Sequence, residues 1–223
     1  MSQPETTNLL SDRALPELPV REFLAALAAR TPAPGGGAMT ALTAALAAAQ
    51  LRMVIAYTRG KPKFSAYEQI LADYDARLAR AGEILCELMQ EDKAAYEALN
   101  PFMKMPLAQR HADPRYPAVV AAAVRIPQAV GVTAANIVEA AEILRDKVSK
   151  MLISDLGVAA GTAMAAVESA EFNVLVNLPL LEDTAAAKSI ASSLTELRQG
   201  SRRRYRLISE ALLQNLSAAL INE

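Results

Sequence analysis

Thr31-Pro32-Ala33-Pro34-Gly35-Gly36-Gly37 runs without a break into Ala38-Met39-Thr40-Ala41-Leu42, the start of an apolar segment that reaches Thr58. Read as a helix, 38–58 is apolar almost all round, and a helix with no solvent face belongs in the middle of a bundle. Its alanines allow neighbouring helices to approach closely. Pro32 and Pro34 hold the approach extended, and the glycines let a partner come against bare backbone. A helix starting there offers unsatisfied N–H groups and a positive dipole end, suited to an anion or the polar edge of a ligand. A phosphate loop is excluded: the Gly-Lys-Ser/Thr ending is missing and no strand precedes the segment.

Outward from this centre the chain reads as helices. Residues 19–30 form a short amphipathic helix, and 59–63 a turn containing Gly60 and Pro62. Residues 65–100 carry one seam in three- and four-residue steps: Leu71, Tyr74, Leu78, Ala81, Leu85, Leu88, Asp92, Ala95, Leu99. Pro101, Pro106, Pro114 and Pro117 break the next stretch into irregular chain. A helix over 119–147 bends or restarts at Pro127. Ser154 caps a helix reaching Leu178, and Asp183 caps a last one towards Ala219, interrupted near Gly200. No alternating strand pattern or fixed-period repeat occurs. The expected fold is all-α, a bundle of long antiparallel helices, with 1–18 a loose tail and 19–223 a single domain.

Composition supports this and narrows the chemistry. The 223 residues are 52% hydrophobic but only 4% aromatic, and alanine and leucine dominate. A net charge of −1 gives no global field towards nucleic acid or a membrane surface. The apolar stretches read as too interrupted for a membrane span. Met1–Asp12 lacks an apolar signal core, so a cytoplasmic protein is expected. One histidine, His111, and one cysteine, Cys86, cannot supply a zinc site that needs three or four such ligands. His111 reads as part of an exposed turn and Cys86 as a small core residue. Catalysis here has to rest on carboxylates, lysines, amides and backbone.

Three places depart from a plain bundle. Asp92 occupies a seam position among apolar neighbours, where an unpaired carboxylate is costly. Either the seam ends there in solvent, or Asp92 is a functional carboxylate on a rigid helix. Asn173 and Asn177, four apart in an apolar run, share a helix face. They serve either to bond a heterocycle or to clamp two helices. Ser154-Asp155 reads locally as a capping pair. Lys61 and Lys63 are either solvated or placed for an anionic tail. Arg202-Arg203-Arg204 with Arg206 is balanced by nearby acids and reads as a solvated or intersubunit face.

Together these blocks resemble the cyclodeaminase domain of formiminotransferase-cyclodeaminase and its stand-alone relatives, the methenyltetrahydrofolate cyclohydrolases. The resemblance rests on residues 31–37 leading into the alanine-rich helix, on Asp92 followed by Ala95-Tyr96, on Ser154-Asp155-Leu156-Gly157-Val158-Ala159-Ala160, and on Asn173-Val174-Leu175-Val176-Asn177-Leu178. It implies an all-helical homodimer that binds a tetrahydrofolate derivative in a cleft between helices. Asp92 would be the catalytic acid/base; Gly35, Gly36, Gly37, Lys61, Lys63, Asp155, Asn173 and Asn177 would line the folate site. No metal, cofactor, nucleic acid or membrane is implied. The activity implied is hydrolysis of 5,10-methenyltetrahydrofolate to the 10-formyl compound. Cyclodeamination of formiminotetrahydrofolate is the alternative, and a non-catalytic helical scaffold a third reading. Met39 and Thr40 stand where the family has small residues, which bears on the pocket wall more than on the fold.

Overall fold

The alanine-rich segment does form a helix, and it starts earlier than expected, but it is not enclosed all round: Met39, Leu46 and Tyr57 on its outer face are exposed. In the computed structural model, which describes residues 13–221 with side chains to 214, the glycines themselves open it. The helices are α1 Val20–Ala28, α2 Gly36–Thr58, α3 Glu68–Met103, α4 Leu107–Ala112, α5 Tyr116–Leu144, α6 Ile153–Leu175 and α7 Thr184–Ile221. No strand occurs among the described residues, so the all-α expectation holds.

Helix α2 packs mainly on α3 and α6, α5 covers α3 and α6, and α7 lies against α5 and α6. Leu51, Val54 and Ile55 of α2 are wholly buried, each burial favouring the fold by about 1.5–3 kcal/mol. Alanines on facing helices (Ala41, Ala44 and Ala48 of α2, Ala159, Ala163 and Ala166 of α6) lie in one core cluster, which lets these helices approach closely. Polar pairs give the directions. Arg52 bonds Asp75 at 2.8 Å while Gly37 faces Asp92, so α2 runs opposite to α3. Thr40 meets Asn173 and Gln50 meets Asp155, so α2 also runs opposite to α6.

Several local expectations need correction. The tail does not extend to residue 18. Leu15 and Leu18 are buried in the core, and the Leu15 N–H donates to Gln90 Oε1 at 3.0 Å. Residues 1–12 of the expected tail lie outside the described residues. Pro101 does not end α3, and the proline-broken stretch contains α4, which holds His111; its Nδ1 lies 2.9 Å from Glu182 Oε1. The Ala33–Pro34 peptide ahead of α2 is cis, and Gly35 after it has an extended backbone. Ser154 is not a cap: α6 begins at Ile153, with Leu152 in the cap position. Asp183 does cap, its Oδ1 accepting from the N–H groups of Ala185 and Ala186 at 2.9 Å. Helix α7 runs through Gly200 unbroken.

Pro127 likewise fails to break α5. A proline cannot donate to the carbonyl four residues back, here Ala123. That carbonyl instead accepts from Asn177 Nδ2 of the neighbouring chain segment at 2.9 Å. The missing backbone bond is replaced in trans, and the helix continues.

The membrane expectation also changes. Gly36–Thr58, Tyr116–Leu144 and Lys150–Leu180 are each long and apolar enough to cross a membrane by length and composition. Threonines inside the first of these runs bond back within α2, Thr40 to the Gly36 carbonyl at 2.7 Å and Thr43 to that of Met39 at 2.9 Å. A hydroxyl satisfied in this way does not interrupt an apolar run.

Candidate active site

The seam of α3 does not end at Asp92. Leu88 before it and Ala95 and Leu99 after it are buried, and Asp92 is half-buried between them. Its position is made by the facing glycine. A Cβ on Gly37 would stand 1.9 Å from Asp92 Oδ1, so only a residue without a side chain lets the carboxylate reach the α2 backbone. Gly35 is the N-cap of α2 and makes no side-chain cap bond. Asp92 supplies what is missing there, accepting from the Ala38 N–H. An anion at a helix N-terminus is also favoured by the dipole. Burial is the larger influence and pushes the Asp92 carboxyl above the ordinary carboxylate range; the Ala38 N–H opposes it.

A cleft of about 460 Å³ opens in front of this pair, within the size range of small-molecule sites. Gly35, Gly36 and Gly37 line it beside Asp92, Tyr96, Leu99 and Met103 of α3. Ala123 and Pro127 of α5, and Asn173, Val176, Asn177 and Leu180, complete the lining. The glycine wall, Asp92 and both asparagines are therefore brought together.

The asparagines clamp helices together at the end of the cleft. Asn173 Nδ2 donates to Thr40 Oγ1 at 3.1 Å, and Thr40 in turn bonds the Gly36 carbonyl, which ties the first turn of α2 to the end of α6. Asn177 Nδ2 bonds the carbonyls of Ala123 and Asn173. The amide nitrogens act as clamps, and both residues line the cleft. Asn173 Oδ1 would lie 3.1 Å from a Cβ on Gly36, so a side chain there would crowd the amide by a few tenths of an ångström.

The remaining expected residues lie elsewhere. Asp155 is eighteen residues before Asn173 on α6, about 27 Å away along the helix, and accepts from Gln50 Nε2 at 2.8 Å. Lys61 and Lys63 are exposed at that same far end. Lys63 lines a groove of about 440 Å³ with Phe64, Tyr67, Arg145 and Lys150. One chain does not carry these three residues to the cleft. The arginine run pairs with acids, Arg202 with Glu168 at 2.5 Å and Arg204 with Glu142 and Glu139. Among the described residues, no three His, Cys, Asp or Glu side chains are placed to hold a metal together.

Sequence reasoning missed Leu99, Met103, Pro127 and Leu180 as lining residues. A seam position looks the same in a sequence whether it meets a helix or a cleft. It also missed Tyr96, which stands one turn from Asp92 and was legible from that spacing alone.

The profile of the family described as formiminotransferase-cyclodeaminase matches residues 19–196. The formimidoyltransferase-cyclodeaminase of Gallus gallus is 30% identical over 200 residues, 85% of this chain but 37% of that protein, so the chain spans little more than a third of this relative. The methenyltetrahydrofolate cyclohydrolase of Methylorubrum extorquens is 30% identical over 182 residues, 80% of this chain and 88% of that one. The crystal structure of formiminotetrahydrofolate cyclodeaminase from Thermotoga maritima superposes with a TM-score of 0.84 at 25% identity, covering 91% of this chain and 99% of the other.

Proposed function

The chain belongs to the formiminotransferase-cyclodeaminase family, and on that footing we propose that it hydrolyses 5,10-methenyltetrahydrofolate to 10-formyltetrahydrofolate. The observation that carries the proposal is a half-buried carboxylate, Asp92, held against a glycine wall in a cleft that also presents Asn173 and Asn177.

In the substrate, N5 and N10 are bridged by one carbon in a cationic amidinium. The Asp92 carboxylate stabilises that cation and takes a proton from water as the water oxygen bonds to the bridging carbon. The proton passes to N5 as the carbon–N5 bond breaks, leaving a formyl group on N10 and releasing one proton overall. No atom changes oxidation state. A carboxyl whose proton affinity is raised by burial is suited to both halves of this transfer. The bare glycine backbone lets a flat ring lie close, and the asparagine oxygens accept from the donor groups on its edge.

A second reading is supported by the near-complete overlap with the Thermotoga cyclodeaminase. Here N10 attacks a formimino carbon on N5 and ammonia leaves, with Asp92 moving the proton to the departing nitrogen. The working unit in either case is a homodimer.

Two substrates separate the readings. With methenyltetrahydrofolate, cyclohydrolase activity removes the near-ultraviolet band of the bridged compound faster than buffer does. With formiminotetrahydrofolate, cyclodeaminase activity makes that band appear together with ammonia. Loss of the band at the buffer rate refutes the first reading. Absence of both activities, with no folate binding by calorimetry, leaves the non-catalytic scaffold.

A further inference from the structure

A single hydrogen bond to Asp92 does not fix an attacking water. A water held by one carboxylate still turns about that bond, and its lone pair is not kept on the bridging carbon. A second bond removes that freedom, and a side chain of the cleft is placed to supply it. Of the side chains lining the cleft, those of Asp92, Tyr96, Asn173 and Asn177 carry a nitrogen or oxygen. The asparagine nitrogens are engaged, Asn173 with Thr40 and Asn177 with the Ala123 and Asn173 carbonyls. Their oxygens, in the folate reading, face the donor edge of the ring. Tyr96 is left. It brings the one hydroxyl among the lining side chains, and that hydroxyl makes no hydrogen bond among the described residues.

Its place on α3 suits the task. Tyr96 follows Asp92 by four residues, so the two share a helix face with Cβ atoms about 5–6 Å apart. Helical side chains lean towards the N-terminus over the preceding turn, which brings the Tyr96 ring back over Asp92. Ala95 and Leu99 beside it are 9% and 6% exposed, whereas Tyr96 is 48% exposed. A ring belonging to the core would be buried as they are; this one stands in the cleft. Further along the same face come Leu99 and Met103, so the polar groups that α3 gives the cleft are confined to one turn. Asp92 accepts from the Ala38 N–H and is not bonded to the phenol. A water is the group that can bond both.

We propose that Tyr96 is a water-positioning residue and that, with Asp92, it directs this cleft to hydrolysis. One O–H of the water donates to Asp92 and the other to the Tyr96 oxygen, which leaves a lone pair facing the bridging carbon. As the new carbon–oxygen bond forms, the first proton passes to Asp92, and from there to N5 as the carbon–N5 bond breaks. The second proton stays on the oxygen until the formyl group forms and then leaves to solvent. Tyr96 keeps its own proton throughout. Cyclodeamination needs no such water, because its nucleophile, N10, belongs to the substrate. This role rests on the folate reading above and adds to it the group that selects water as the nucleophile.

Two substitutions separate the hydroxyl from the ring: Tyr96→Phe removes the first, Tyr96→Leu both. With methenyltetrahydrofolate, Tyr96→Phe should lower kcat about tenfold or more and change KM less than about twofold, with Tyr96→Leu losing at least as much kcat. The melting temperature of Tyr96→Phe should match that of wild type, since the hydroxyl bonds nothing in the chain. A double-mutant cycle reads the shared water. In an Asp92→Asn background, Tyr96→Phe should cost less than about twofold, because the carboxylate that holds the water with it is gone. Wild-type kcat in Tyr96→Phe, a loss confined to KM, or full additivity with Asp92→Asn would overturn the proposal and leave the folate reading standing. Decay at the buffer rate with wild-type protein would remove the folate reading and this role together, so the two failures are told apart by the wild type alone.

Discussion

Replacing Gly37 by alanine is the sharpest perturbation of the site, because its size can be worked from the structure. The new Cβ would stand 1.9 Å from Asp92 Oδ1, whereas real Cβ contacts essentially never fall below 3.0 Å. The carboxylate must therefore retreat by more than 1 Å, out of reach of the Ala38 N–H that it now accepts from. A misplacement of about 1 Å in a catalytic group costs on the order of 100-fold in rate. Stability should move little. Gly37 does not have a positive φ, so alanine fits the backbone and gains about 0.5–1 kcal/mol of helix propensity, offsetting the lost capping bond. The neighbours provide internal controls. A Cβ on Gly36 would stand 3.1 Å from Asn173 Oδ1, which the amide can relieve by a small shift, and one on Gly35 meets nothing within 4 Å. Decay of the methenyltetrahydrofolate band at saturating substrate, with thermal melts alongside, should rank the three variants: Gly35→Ala unchanged, Gly36→Ala down a few-fold, Gly37→Ala down about 100-fold. Wild-type turnover in Gly37→Ala, or equal losses at all three positions, would refute the positioning argument.

Other outcomes follow from the same contacts. Burial raises the Asp92 pKa, so the carboxyl favours the folded state below its unfolded pKa, and that contribution is lost as pH rises through the folded value. Asp92→Asn should therefore melt higher than wild type above that pH and match it more closely in acid; a variant less stable throughout would contradict this. As a base, Asp92 must be ionised, so kcat/KM should fall in acid with an apparent pKa above the ordinary carboxylate range, a limb missing from the asparagine variant. Asn177→Ala should cost about 1–3 kcal/mol by leaving the Ala123 carbonyl unpaired. In denaturant titrations, most of that cost should vanish in a Pro127→Ala background, where residue 127 regains its N–H; full additivity would exclude the replacement of one bond by the other.

The sequence carries much of this fold because its strongest signals are helical periods. The leucines of the α3 seam from Leu71 to Leu99 are buried as their spacing implies, and α2 packs its alanines and Leu51, Val54 and Ile55 into the core. Boundaries and interruptions were less legible, for a physical reason. Proline and glycine carry local penalties, but distant groups can offset them, as Asn177 does for Pro127 across 54 residues of chain. The site was half legible. Asp92 and the asparagines stand out as polar groups at apolar positions, and the glycines as bare backbone. Asp155, Lys61 and Lys63 are drawn to the site by family resemblance, yet helix length puts them about 27 Å off within one chain. Spacing along a sequence cannot say which copy of a chain supplies a residue.

The central claim is that Asp92 moves the proton in a cleft that binds a bridged folate. Its most direct test is the rate of loss of the methenyltetrahydrofolate band at saturating substrate, compared between wild type and Asp92→Asn, with ligand affinity measured on the same samples. Wild type should outpace buffer, and the variant should bind comparably while turning over at least about 100-fold more slowly, the low end for loss of an acid/base group. A variant that binds and turns over like wild type would contradict the account.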